Sequence, residues 1–302
     1  MPAFLAASVP EFIARPAAAC HNNGLALFRR SLFRPAVATP FDHHPVAVFD
    51  SGLGGLTVLR ALRQRLPGED FFYFADTRFM PYGDRAESFI RERGELIAAG
   101  LARRGAKALV IACNTLTAAA AEGIRASSAL PVVALEPGVK PAASLTRSGV
   151  IGVLATTRTL ASERFRRLVE DYASRCRVLV QPCPGLAEAI EQEGADSPAV
   201  ARLLDNFVTP LAAGGADVVV LGCTHYPWAS AAISRRLPAA TVLLDTGEAV
   251  ARQLEKRLAS ASLLGGGQGR LTISSSGSPA AVAATVERLW GSALPVEPWE
   301  PA

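Results

Sequence analysis

No uncharged apolar run in the 302 residues reaches the roughly 18 needed to cross a bilayer, which excludes a membrane-spanning helix and predicts no membrane association. No cysteine pair has the C-x-x-C spacing of a zinc ribbon. No H-x-x-x-H or H-x-E pattern occurs either, so no metal site is expected. G-K-[S/T] is absent, which removes the P-loop reading. Lysine is nearly absent: only Lys107, Lys140 and Lys256 occur, a bias toward arginine and alanine that we attribute to codon composition. The net charge is +4 and is not gathered into a basic stripe, so no direct nucleic-acid binding is expected. The five cysteines are odd in number, and their spacings do not repeat like a disulfide framework. A reduced, cytoplasmic protein is the expectation. What the chain has in abundance is core: 50% of its residues are hydrophobic and 19% charged, enough for one large domain or two ordinary ones.

Residues 1–44 differ from the rest. They hold Pro2, Pro10, Pro16, Pro35 and Pro40, an Asn22-Asn23-Gly24 turn signal and four arginines against two acids, with no strong period. They read as a loosely ordered N-terminal extension. From Pro45 a regular alternation begins. Pro45–Asp50 is a short apolar strand that meets the glycine turn Ser51-Gly52-Leu53-Gly54-Gly55, and Leu56, Leu59, Leu62 and Leu66 then recur at helical spacing. Further strands are read at Phe71–Asp76, Ala108–Ala112, Pro131–Leu135, Gly149–Leu154, Val178–Val180, Ala216–Gly222 and Val242–Asp245. Helices are read at Phe89–Arg104, Asn114–Ala126, Leu160–Tyr172, from Leu186 and at Gly247–Leu258. Continuous apolar strands alternating with helices predict parallel sheets covered on both faces.

The chain repeats one of its own patterns about 110 residues apart. Gly105-Ala106-Lys107-Ala108-Leu109-Val110-Ile111-Ala112-Cys113-Asn114-Thr115 is echoed by Gly215-Ala216-Asp217-Val218-Val219-Val220-Leu221-Gly222-Cys223-Thr224-His225. A second echo links the strand end at Asp50-Ser51 with the one at Ala155-Thr156. Two similar parallel-sheet α/β domains related by pseudo-symmetry are implied, each with one cysteine at the carboxyl end of a strand. Ligands of open α/β sheets bind at that edge, so the active site is expected in the cleft between the domains.

Cys113 precedes a helix, whose N-terminus should lower its thiol pKa, and Cys223 sits in the equivalent place with His225 two residues on. Paired thiols on opposite sides of a small substrate suit two-base proton transfer at a carbon, which inverts its configuration. The carbanion formed between them needs nearby donors. The glycine turn lacks dinucleotide spacing and is read as backbone N–H groups that, with Ser51, hold a small anion at a helix N-terminus. Asp50 is placed to bind an ammonium group or tune a thiol. Tyr82 lies in a Pro81-Tyr82-Gly83 loop, and Glu191 lies on a helix with Glu188 and Glu193. Cys20, Cys176 and Cys183 lack a comparable context and are assigned no role.

The motifs Asp50–Gly55, Pro81–Gly83, Ala112–Thr115, Glu136–Pro141, Gly152–Thr156 and Leu221–Pro227 resemble those of the glutamate racemases of the aspartate/glutamate racemase family. The match runs from about Pro45 to about Leu294. The resemblance implies cofactor-independent interconversion of L- and D-glutamate, the D-form supplying peptidoglycan synthesis. It implies Cys113 and Cys223 as catalytic cysteines, the first acting on D-glutamate and the second on L-glutamate, with Asp50 and His225 assisting. It also implies substrate binding by Asp50, Ser51, Tyr82, Gly83, Asn114, Thr115, Thr156 (or Thr159), Glu191, Thr224 and His225. A split first domain of residues 45–138 plus 248–302 and a second of residues 139–247 are expected, with crossings near Glu136–Pro141 and Asp245–Ala251. Glutamate is the expected small-molecule partner. A homodimer, and the activation by a peptidoglycan precursor that some members with a shorter extension show, stay open. A sister racemase acting on aspartate, a cysteine hydrolase using Cys223 and His225, and a two-lobed amino-acid receptor are the competing readings.

Overall fold

The computed structural model describes residues 44–301. The extension, with Cys20, His21 and His43, lies outside the described residues apart from His44, whose ring bonds the Gly105 carbonyl at 3.0 Å. Ten strands follow: β1 (Val46–Asp50), β2 (Phe71–Ala75), β3 (Ala108–Ile111), β4 (Val132–Ala134), β5 (Val150–Ala155), β6 (Arg177–Pro182), β7 (Val218–Gly222), β8 (Val242–Leu244), β9 (Leu271–Ser275) and β10 (Val296–Pro298). They form two sheets, ordered β10-β9-β2-β1-β3-β4 and β6-β5-β7-β8. Every pairing is parallel.

The runs Val46-Ala47-Val48-Phe49 and Ala108-Leu109-Val110-Ile111 are fully buried because helices cover both faces of their sheet. Separate apolar clusters line the two faces of each sheet, and Trp228 packs against a cluster in each half.

The shared topology fixes the position of the site. Strand order β2-β1-β3-β4 in the first sheet is the same as β6-β5-β7-β8 in the second. In each, the chain leaves the central strand toward one side and returns on the other. The crevice at such a switch point opens beyond the carboxyl ends of β1 and β3, and of β5 and β7. Those ends carry Asp50 and Cys113 in one half and Thr156 and Cys223 in the other.

Helix α1 (Leu56–Arg65) follows β1, α2 (Glu87–Arg103) follows β2 and α3 (Asn114–Ser127) follows β3. The helix read as one piece over Leu160–Tyr172 is broken into Thr157–Leu160 and Glu163–Tyr172. Ser162 caps the second piece by accepting from the Phe165 N–H at 3.1 Å. Helices Val139–Leu145, Leu186–Glu193, Pro198–Ala213, Ser230–Ser234, Gly247–Ser260 and Pro279–Trp290 complete the helical cover of the two sheets.

Candidate active site

The two switch points share a narrow cleft, open in part to solvent. The first half contributes Ser51, Tyr82, Gly83, Cys113, Asn114 and Thr115 to its walls, and the second contributes Thr156, Cys183, Glu188, Cys223, Thr224 and His225. Eight of the predicted binding residues therefore line one cleft, together with both thiols. Asp50 and Glu191 are the exceptions: both are buried behind it.

Cys113 is the N-cap of α3. Its sulfur accepts from the Leu116 N–H at 3.5 Å and lies 3.5 Å from the Ser51 hydroxyl. The helix N-terminus was expected to lower this thiol's pKa. The reverse holds: burial, reinforced by the Asp50 carboxylate, pushes it well above the ordinary thiol range, and the two hydrogen bonds offset only part of that. A sulfur removed from water loses more than one capping position returns.

Cys223 heads a different arrangement. Its sulfur stands 3.8 Å from His225 Nδ1, and His225 Nε2 lies 2.6 Å from the Glu191 carboxylate. Burial works to lower the imidazole's pKa, but contacts with Cys223 and Glu191 outweigh it and hold His225 well above its usual value. Glu191 sits on the helix Leu186–Glu193, whose spacing turns it inward while Glu193 faces solvent. Its carboxylate meets His225 and the Leu53 N–H (2.8 Å), which sets it behind the cleft wall rather than on it. Asp50 is committed in the same way. It accepts from the Ser51 N–H at 2.7 Å and the Gly55 N–H at 2.6 Å, and burial raises its pKa.

These bonds also correct the reading of the glycine turn. Its N–H groups at positions 51, 53 and 55 bind the protein's own carboxylates, Asp50 and Glu191, rather than an outside anion. The glycines serve close approach, since none of the three has a left-handed backbone. A Cβ on Gly52 would fall 2.6 Å from the Met80 sulfur and 2.8 Å from the Glu191 carboxylate, and one on Gly54 would collide with the His225 ring. The turn is thus a tight spacer between the halves.

Three hydroxyls join the two halves at the cleft wall. Thr115 Oγ1 lies 2.9 Å from Thr156 Oγ1 and 3.3 Å from Thr159 Oγ1. Asn114 Oδ1 is buried without a hydrogen-bond partner, an acceptor left for a ligand or water. Tyr82 is held by its hydroxyl, which donates to Asp76 at 2.5 Å.

Sequence reasoning missed Cys183 and Glu188 in the wall, and the Asp76–Arg93 pair behind it. Cys183 follows the carboxyl end of β6, a strand-end position like that of Cys113, so a positional signal was present. Among the described residues no group of metal-ligating side chains comes together, and no helix is long and apolar enough to cross a membrane.

The sequence model of the Asp/Glu/hydantoin racemase family matches residues 56–254. The chain is 48% identical over 254 residues to the glutamate racemase of Stutzerimonas stutzeri, covering 84% of this chain and 96% of that one. Its fold superposes on Bacillus anthracis glutamate racemase isoform RacE1 with a TM-score of 0.79 and 28% identity, over 86% of this chain and 98% of that one. It also superposes on Escherichia coli glutamate racemase, solved with L-glutamate and the activator UDP-MurNAc-ala, with a TM-score of 0.73 and 29% identity, over 86% and 99%.

Proposed function

Because the chain belongs to the Asp/Glu/hydantoin racemase family, we propose that it interconverts L- and D-glutamate by proton transfer between two cysteines, without a cofactor. The observation that carries this is the pair Cys113 and Cys223, one from each half, on one cleft at matching strand ends. The glutamate specificity rests on near-full-length similarity to glutamate racemases. D-glutamate for peptidoglycan synthesis and a cytoplasmic location belong to the same reading. So do the split first domain, residues 45–138 plus 248–302, and the second, residues 139–247.

In the L-to-D direction the Cys223 thiolate takes the α-proton. The C–H electron pair stays on the α-carbon, and the Cys113 thiol then delivers its own proton to the opposite face. Cys223 ends as thiol and Cys113 as thiolate, ready for the reverse reaction from D-glutamate. A His225 cation held by Glu191 stands 3.8 Å from the Cys223 sulfur, where it stabilises negative charge. Burial keeps Cys113 protonated as the donor. The hydroxyls of Ser51, Thr115, Thr156 and Thr224 and the amide of Asn114 are the donors for the substrate carboxylates and the developing carbanion.

The test is solvent-deuterium exchange at the α-carbon of L-glutamate in D₂O without added cofactor, followed by NMR and circular dichroism together. Deuterium incorporation with decay of the optical signal toward zero is expected. Cys113→Ala and Cys223→Ala should each slow racemisation by a factor of about 10³, because each removes one of two required proton carriers. Substantial racemisation in either variant breaks the two-base account. Exchange with aspartate alone moves the assignment to the sister racemase, and silence with both restores the binding and hydrolase readings. A peptidoglycan-precursor activator is the second part of the proposal, motivated by the activator bound to the Escherichia coli relative. If deletion of residues 2–44 leaves activation by such a precursor unchanged, the extension has no part in it.

A further inference from the structure

Behind Tyr82 lies a chain of charged contacts that ends at the carboxyl terminus. Asp76, fully buried at the end of β2, accepts from the Tyr82 hydroxyl and from Arg93 in a two-pronged pair, Nε at 2.8 Å and Nη2 at 2.7 Å. Arg93 Nη2 also reaches the Glu300 carboxylate at 3.1 Å, and the other oxygen of Glu300 meets Arg78 at 3.4 Å. Arg78 belongs to the turn Thr77–Phe79, which leads into the substrate-facing Pro81–Gly83. The Arg93 guanidinium also lies 4.4 Å over the Phe79 ring in that turn.

The tail carrying Glu300 is itself fastened. Strand β10 pairs with β9, and the Trp299 N–H donates to the Ser275 carbonyl at 3.0 Å. The Trp299 ring meets Phe74 edge-on at 4.7 Å, in β2, whose last residue precedes Asp76. The residues after β10 thus grip both the strand and the turn from which Tyr82 is hung. A buried Asp76 would be costly without its full set of partners, so the Arg93 fork and the Tyr82 hydroxyl are set together.

We propose that residues 296–301 form a C-terminal strap in which Glu300, through Arg93 and Asp76, is a positioning residue for the Tyr82 wall of the cleft. The strap touches no reacting group and acts on substrate affinity. It rests on the reading of the cleft as the glutamate site.

The test compares the full chain with Glu300→Gln, Glu300→Asp and a chain ended at Pro298. The readouts are KM and kcat for glutamate and hydrogen exchange of peptides covering residues 76–86 and, as a reference, β7. Glu300→Gln should raise KM about two- to fivefold, the range open to a half-exposed ion pair. Its kcat should change by less than about twofold, which separates a positioning role from a catalytic one. Exchange should rise over residues 76–86 and not in β7, Glu300→Asp should recover most of the KM, and the shortened chain should exceed Glu300→Gln in both effects. Unchanged KM and exchange in Glu300→Gln would overturn the strap, as would exchange rising evenly through the chain, which marks a general loss of fold. If the unaltered protein turns over no glutamate, the activity reading fails while local exchange at residues 76–86 still decides the strap.

Discussion

Cys113 and Cys183 are buried thiols, and in both, burial is the chief cause holding the pKa above the ordinary thiol value. The consequence for stability has a definite sign. A group that holds its proton more tightly folded than unfolded contributes stability that is complete below the unfolded pKa. That contribution is lost as pH rises toward the folded pKa. Unfolded cysteine titrates near ~8.5, so from about pH 8.5 upward each thiol should cost up to about 1.4 kcal/mol per pH unit. Denaturant midpoints between pH 7 and pH 10 would measure this. Cys113→Ser and Cys183→Ser should each flatten the alkaline slope, and an unchanged slope in both would refute it. The placement of Cys113 and Cys223 on one cleft was legible in the repeated strand-Cys-polar pattern. The charge state of Cys113 was not, because it depends on how much water the fold removes and on an Asp50 carboxylate 63 residues away in the chain.

Elements show the same division. Strands β1, β3, β5 and β7 announce themselves as continuous apolar runs because both faces of each sheet are covered. Strands β9 and β10 do not: Leu271-Thr272-Ile273-Ser274-Ser275 is half polar, and β10 is a three-residue edge strand ending in proline. The helix Pro198–Ala213 is obscured by the internal Pro210. The glycine turn was legible as a turn but not in its purpose. Since a Cβ at Gly54 would meet the His225 ring and the Thr224 hydroxyl, Gly54→Ala should cost about 1–3 kcal/mol and displace His225. Gly68→Ala, in open space with a permissive backbone, should be neutral or stabilising by about 0.4–1 kcal/mol. Thermal denaturation of the two variants, with glutamate kinetics, checks the contrast. Equal effects would remove the spacer role from Gly54.

The molecule as a whole is two sheets of one winding order whose carboxyl ends border one cleft, and the site exists only where their switch points meet. The hydroxyl triad Thr115–Thr156–Thr159 is one of the links across that seam. Thr115→Val removes the link and one cleft donor but leaves Thr156 and Thr159 bonded to each other at 2.9 Å. The variant should therefore raise KM for glutamate about fivefold, the value of one hydrogen bond of ~1 kcal/mol. Its melting temperature should stay close to that of the parent. A large fall in melting temperature with unchanged KM would make the triad a structural joint and not part of the substrate wall.

The amino-acid order alone determined which residues end strands. Period and composition are local, so the repeated Gly-Ala-strand-Cys pattern, the glycine turn and the Thr156 strand end could be read directly. Only the tertiary structure decided what those strand ends face. It turned Glu191 away from the cleft and onto His225, gave the glycine turn's N–H groups to Asp50 and Glu191, and brought Cys183 to the wall. It also tied Tyr82 to Glu300 through Asp76 and Arg93. Each of these is a contact between residues far apart in the chain, and burial and partner charge, which set the chemistry there, exist only after the chain has folded.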